Sequence, residues 1–176
     1  MNDLLSLFNL TFLIFTVLLF LRAAYHKVSD FTEFQGFVAD YRLLPERLVV
    51  PASALLVALE SAAVVLMLVP ATRTAGLLLA ASLLLAYASA ILINLQRGHR
   101  QVECGCGGAP QLLSGSLVVR NAVLTLFALS PVLTGMPYQY TARELVATIV
   151  AALTLWGFYA LFEQANATHH AMRTRL

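Results

Sequence analysis

Charge is what this chain has least of. Its 176 residues include nine acidic and eleven basic side chains, 11% charged against 60% hydrophobic, and the mean hydropathy is +0.80. A soluble core of this length cannot hide so much apolar surface, which leaves a multi-pass membrane protein. The basic residues are scattered, without clusters or interleaved aromatics, so the net charge of +2 does not imply a nucleic-acid partner. Cysteine is nearly missing: the two that exist stand one residue apart in Cys104-Gly105-Cys106. A disulfide stabilises mainly by closing a long loop, so this pair cannot staple a fold and its use is local. There is no internal repeat and no low-complexity tract, and a single membrane domain fills residues 1–176.

Long apolar runs are present instead. Crossing about 30 Å of hydrocarbon takes roughly 20 apolar residues, and five runs approach that length, at residues 4–21, 48–69, 74–95, 117–136 and 143–162. The first lacks a basic start and a small-residue cleavage site, so it reads as a membrane helix rather than a signal peptide. Arg22, His26 and Lys27 mark its exit. Pro51 suits the first turn of the second run and Pro70 stops it. The third follows so closely that the two form an antiparallel hairpin. The fourth carries Arg120 and Asn121 in its first turn and is weakened at its far end by Pro131, Gly135 and Pro137. The fifth holds Trp156 and Tyr159, read as interfacial aromatics, and runs into a polar tail ending Arg173-Thr174-Arg175. The predicted fold is all-α, a bundle of about five transmembrane helices with a four-helix core.

Residues 30–44, between the first two runs, are of another kind. Phe31, Phe34, Val38 and Tyr41 recur at near-helical spacing while Glu33, Gln35, Asp40 and Arg42 take other faces. This predicts an amphipathic helix lying at the membrane interface. Asp30 caps its start with Glu33 as reciprocal partner, and Pro45 discourages helix at Leu44. Such a helix either seals the rim of the bundle or serves contact with a partner.

Basic residues also report orientation. Arg22, Lys27, Arg42, Arg47, Arg97, Arg100, Arg120, Arg173 and Arg175 fall on one side of five alternating spans, Arg73 and Arg143 on the other. The positive-inside rule then puts the N-terminus outside and the cysteine loop and C-terminus in the cytoplasm.

Three groups of residues can carry chemistry. Closing a disulfide across one residue strains it and makes the oxidised pair a better oxidant, and Gly105 makes the closure feasible. Gly107, Gly108 and Pro110 add a turn that a partner can approach closely. Arg97, His99, Arg100 and Arg120 favour the thiolate. The plainer alternative is two small apolar residues in a loop, and a metal site built on Cys104, Cys106 and His99 lacks a fourth ligand. Glu60, in the middle of the second run, must be protonated, hydrogen-bonded or paired. Its depth matches Tyr87 of the third run, with Ser82 one turn deeper, and a Glu60–Tyr87 contact is expected, either functional or simply locking two helices. Finally, Arg22, Asn94, Arg120 and Asn121 share the end of the bundle that carries the cysteine loop. Together they would form a pocket for a thiolate or for a polar headgroup such as the carbonyls of a quinone; singly, such residues snorkel or bond helix ends.

The ordered set Tyr41-Arg42-Leu43-Leu44-Pro45, Glu60, Asn94-Leu95, Glu103-Cys104-Gly105-Cys106-Gly107-Gly108, Leu113-Ser114 and Val119-Arg120-Asn121 resembles the methylamine-utilisation MauE family. That family lies within a wider group of DoxX-like, redox-associated membrane proteins, and the resemblance spans about residues 22–133. Gly107 stands where the wider group often has an aromatic, and Gly115 where a bulky aromatic is expected. The resemblance implies a bacterial cell-membrane protein acting with a thioredoxin-like partner of the MauD type. Their client would be the disulfide-dense small subunit of periplasmic methylamine dehydrogenase, with Cys104 and Cys106 as the redox pair. The client's disulfides form outside the cytoplasm, whereas the charge count puts the cysteines inside. Either electrons pass from a cytosolic donor through a loop folded into the bundle, or the charge count misreports the side. A non-catalytic docking platform using Phe34 and Tyr41 is the alternative function, and a small transporter using Glu60 lacks the discontinuous helix pair that fold employs.

Overall fold

The computed structural model describes residues 2–99, 101–105, 111–135 and 141–173, without the side chains of residues 2–3 and 169–173. Arg100, Cys106, Gly107, Gly108, Pro110, Pro137 and Arg175 lie outside the described residues. Six α-helices follow one another: α1 Asn2–Ser29, α2 Phe31–Asp40, α3 Val49–Leu68, α4 Arg73–Gln96, α5 Gly115–Thr134 and α6 Ala142–Arg173. Short 3-10 turns, Glu46–Leu48 and Pro70–Thr72, lead into α3 and α4. All but α2 are long and apolar enough to cross a membrane.

Helix α1 does not stop where its apolar run stops. It continues through Arg22 and Lys27 to Ser29, because no proline or glycine interrupts it before Gly36 and both charges find partners inside the protein. At about 1.5 Å per residue it exceeds the hydrocarbon thickness by two turns or so. Asp30 then caps α2, its Oδ1 accepting from the Glu33 amide at 3.0 Å. The reciprocal half of the capping box is not made, since the Asp30 amide still donates to His26 in the last turn of α1. On α2 the split of faces is as the spacing predicts, with Phe34 buried, Phe31 and Val38 half-buried, and Glu33 and Asp40 exposed. The helix ends at Asp40, four residues short of Leu44. Arg42 takes the left-handed conformation, φ 49°, and turns the chain toward Pro45.

Helices α1, α3, α4 and α5 form the core, and α6 packs along α1 from outside. Of the most apolar stretch of α6 only 11% is buried within the protein, against 28–44% for the other four spanning helices, so its remaining surface faces lipid. Small residues let the core helices approach: Ala63, Ala80 and Ala128 are fully buried. At the α3–α4 hairpin a Cβ on Gly76 would meet the Met67 amide at 2.7 Å, so only glycine permits that crossing. Phe127 stacks on Phe12 at 4.6 Å and meets Phe15 edge-on, which ties α5 to α1. Trp156 and Tyr159 are half-buried. Both turn inward against the core, Tyr159 meeting Phe15 edge-on at 5.9 Å, because α6 has only its α1-facing side to bury.

Candidate functional site

Two clusters of buried polar residues sit at the end of the bundle where α2 and the cysteine loop dock. The first joins three helices. Lys27 Nζ of α1 donates to Glu60 Oε1 of α3 and to the Tyr87 hydroxyl of α4 at 3.2 Å. Tyr87 donates to the same Glu60 oxygen at 2.6 Å. The ammonium also lies 4.9 Å from the centre of the Phe34 ring. Lys27 is 3% exposed and Glu60 1%. Depth counting thus finds the Glu60–Tyr87 contact, and Ser82 faces outward on its own helix. It misses Lys27, taken for a loop charge at the exit of α1. The signal was there: Leu13, Thr16, Phe20, Ala24 and Lys27 follow one another at helical spacing, and all are buried.

The second cluster is built around Glu163 of α6, one residue beyond the predicted span 143–162. Its two oxygens accept from Arg22 at 3.0 Å and Arg120 at 3.3 Å, and its backbone carbonyl accepts from Gln111 Nε2 at 2.9 Å. Arg120 also points Nη2 at Cys104 Sγ, 3.8 Å away, and the Arg22 guanidinium lies over the Trp156 ring. One carboxylate between two guanidiniums leaves a net positive charge beside the sulfur. Between the clusters lies a cavity of ≈ 40 Å³ lined by Lys27, Glu60, Tyr87, Arg120, Asn121 and Tyr159.

The loop itself is pinned. Its two arms pair as a single antiparallel bridge, Glu103 to Leu112, in which the Cys104 amide donates to the Gln111 carbonyl at 2.9 Å. The Tyr41 hydroxyl donates to the Cys104 carbonyl at 3.2 Å, and burial pushes that phenol well above its ordinary range, with the Arg120 charge pulling the other way. Gly105 has φ 63°, and a Cβ there would strike Phe37 at 2.9 Å, so the glycine is required both by its conformation and by contact with α2. Cys104 is disulfide-bonded; the only other cysteine, Cys106, lies outside the described residues.

The remaining predicted residues divide. Arg22 and Arg120 converge as expected, through Glu163. Asn94 and Asn121 are buried but give their amides to carbonyls of their own helices, Ala90 and Leu117, so they line the end of the bundle without joining either charge cluster. Arg97 donates to the Arg42 carbonyl at 3.4 Å. Among the described residues no three metal-ligating side chains gather, around His99 or elsewhere. Phe34 and Tyr41, the contact residues of a docking platform, are engaged within the protein, by Lys27 and by the cysteine loop. A cleft of ≈ 260 Å³ runs between α2, α3, α4 and the loop, and Lys27, Phe34, Val38, Leu56, Tyr87 and Cys104 are in its walls.

Five apolar helices closed over buried ion pairs, with a cysteine loop docked on one end, define a multi-pass α-helical membrane protein. The family model described as methylamine utilisation protein MauE matches residues 5–134, and the chain belongs to that family. It is 40% identical over 126 residues to methylamine utilization protein MauE of Paracoccus denitrificans, covering 70% of this chain and 67% of the relative. It is 33% identical over 140 residues to the protein of that name in Methylophilus methylotrophus, covering 78% and 73%. No solved structure matches at a significant level.

Proposed function

We propose that this protein is a membrane accessory factor in methylamine utilisation that helps mature the small subunit of methylamine dehydrogenase. It does so by thiol–disulfide exchange between Cys104–Cys106 and a thioredoxin-like partner of the MauD type. Membership of the MauE family supports the pathway. The chemistry rests on one observation, the Arg120 guanidinium 3.8 Å from Cys104 Sγ. A positive charge at that distance favours thiolate over thiol, and the thiolate is the form that attacks or leaves in exchange. Exchange then runs through a mixed disulfide: the partner's thiolate attacks one sulfur of the pair, the other leaves as thiolate, and the partner's second thiol completes the transfer. Glu163 is the counter-charge that holds Arg120 in place.

Orientation follows the positive-inside rule. Arg22, Lys27 and Arg120 belong to buried pairs and drop out of the count, leaving six basic residues against two on the same sides as before. The reading therefore keeps the N-terminus outside and the cysteine loop on the cytoplasmic side of the bacterial cell membrane, folded into the bundle so that exchange reaches the extracytoplasmic partner across it.

The test is client maturation in methylamine-grown cells. Cys104→Ser and Cys106→Ser, singly and together, should abolish correct disulfide formation in the small subunit while the protein still inserts in the membrane. Normal client disulfides in the double variant would overturn the proposal.

A further inference from the structure

Arg120 carries three guanidinium nitrogens, and the second cluster engages two of them. Nη1 donates to Glu163 and Nη2 points at Cys104 Sγ, whereas Nε is buried and meets no hydrogen-bond partner among the described residues. Glu60 has the converse surplus. Its Oε1 accepts from both Lys27 and Tyr87, and its buried Oε2 has no partner among the described residues. One donor and one acceptor are therefore left over, on side chains 10% and 1% exposed, where an unmade hydrogen bond is costly. Both residues line the ≈ 40 Å³ cavity between the clusters.

That cavity selects its occupant by size and by polarity. A water molecule needs about 10–15 Å³ of such space, so ≈ 40 Å³ holds water and falls far below the roughly 300–1,000 Å³ of ligand pockets. A cation would be repelled by Lys27 and Arg120, and an anion would lie against Glu60. Water both accepts from an N–H and donates to a carboxylate.

We propose that this cavity is an internal water site, with water accepting from Arg120 Nε and donating to Glu60 Oε2. The consequence reaches across the bundle. Arg22 and Lys27 stand on α1, Glu60 on α3, Tyr87 on α4, Arg120 on α5 and Glu163 on α6. The bridge closes both clusters into one hydrogen-bonded network that touches all five spanning helices. It also gives the guanidinium beside Cys104 a third anchor. The site stands whether or not Cys104 exchanges disulfides, because no step of that chemistry enters it.

The test is synchrotron hydroxyl-radical labelling of the full chain in lipid nanodiscs, in which bound water oxidises the side chains around it. Leu84 and Leu124 line the cavity and are buried; Leu13 and Leu77 are buried away from it. Labelling of the first two is expected several-fold above that of the last two. Ala23→Leu, at another wall position, should displace the water and bring the labelling of all four to one level. It should also lower the midpoint of thermal unfolding in detergent, whereas filling a dry apolar void would raise it. In an Arg120→Met background, where the donor is gone, Ala23→Leu should lower the midpoint less; simple crowding would lower it equally in both. Equal labelling of the four leucines in the unsubstituted protein, a raised midpoint, or an equal loss in both backgrounds overturns the site.

Discussion

The two charge clusters lie at the same end of the bundle and differ in one respect that matters. Lys27–Glu60 is a balanced pair, one cation and one anion, closed further by Tyr87 and nearly without exposure. Arg22–Glu163–Arg120 is unbalanced, two cations on one anion, and its surplus charge ends at a sulfur. A balanced buried pair holds helices together and leaves only a dipole, whose field falls off faster than that of a net charge. An unbalanced one keeps a residual charge for whatever stands next to it. The first therefore ties α1, α3 and α4 together, and the second places a net positive charge beside Cys104.

That contrast can be broken at either side. The largest effect is expected from Lys27→Met, which leaves Glu60 buried without its cation and should cost about 3–5 kcal/mol of stability. Unfolding in detergent would measure it, and Lys27→Met/Glu60→Gln, which removes both charges, should recover most of the loss. A single variant as stable as the wild type would mean that the pair does not order the helices.

Arg120→Met should act on chemistry instead of stability. In a Cys106→Ser background the pH profile of Cys104 alkylation should move to higher pH, because the cation favouring thiolate is gone. Lys27→Met/Glu60→Gln changes no net charge and should leave that profile where it was. If both variants shift it equally, the two clusters are electrostatically one.

The smallest effect belongs to Tyr41→Phe, which removes the hydrogen bond to the Cys104 carbonyl at a cost of about 0.5–1.5 kcal/mol. It also has a pH signature. Burial holds the Tyr41 phenol above its ordinary range, so the folded protein keeps this proton above about pH 10, where the unfolded chain gives it up. The stability Tyr41 contributes is whole below that pH and declines as pH rises past it. Tyr41→Phe should flatten that decline in an alkaline unfolding series, and an unchanged slope would assign the decline to other groups.

Residue order alone was enough for whatever depends on local composition. Runs of about 20 apolar residues with few charges can only be satisfied in lipid as helices, so five spanning helices were legible. So were the α3–α4 hairpin, whose first helix is bounded by Pro51 and Pro70, the amphipathic α2 and its Asp30 cap. The Glu60–Tyr87 contact was legible as well, because depth along two adjacent antiparallel helices is a matter of counting. Partners across long sequence gaps were not. Glu163 is 141 residues from Arg22 and 43 from Arg120, and only the packing of α6 along α1 brings its carboxylate between them. Lys27 looked like a charge leaving the membrane because charge ends an apolar run without ending a helix. Whether that ammonium faced water or Glu60 depended on how α1 rotates against α3. Tertiary structure decided the pairing of every buried charge, since the cost of an unpaired ion in the bundle is met only by side chains that the fold, and not the local sequence, places within reach.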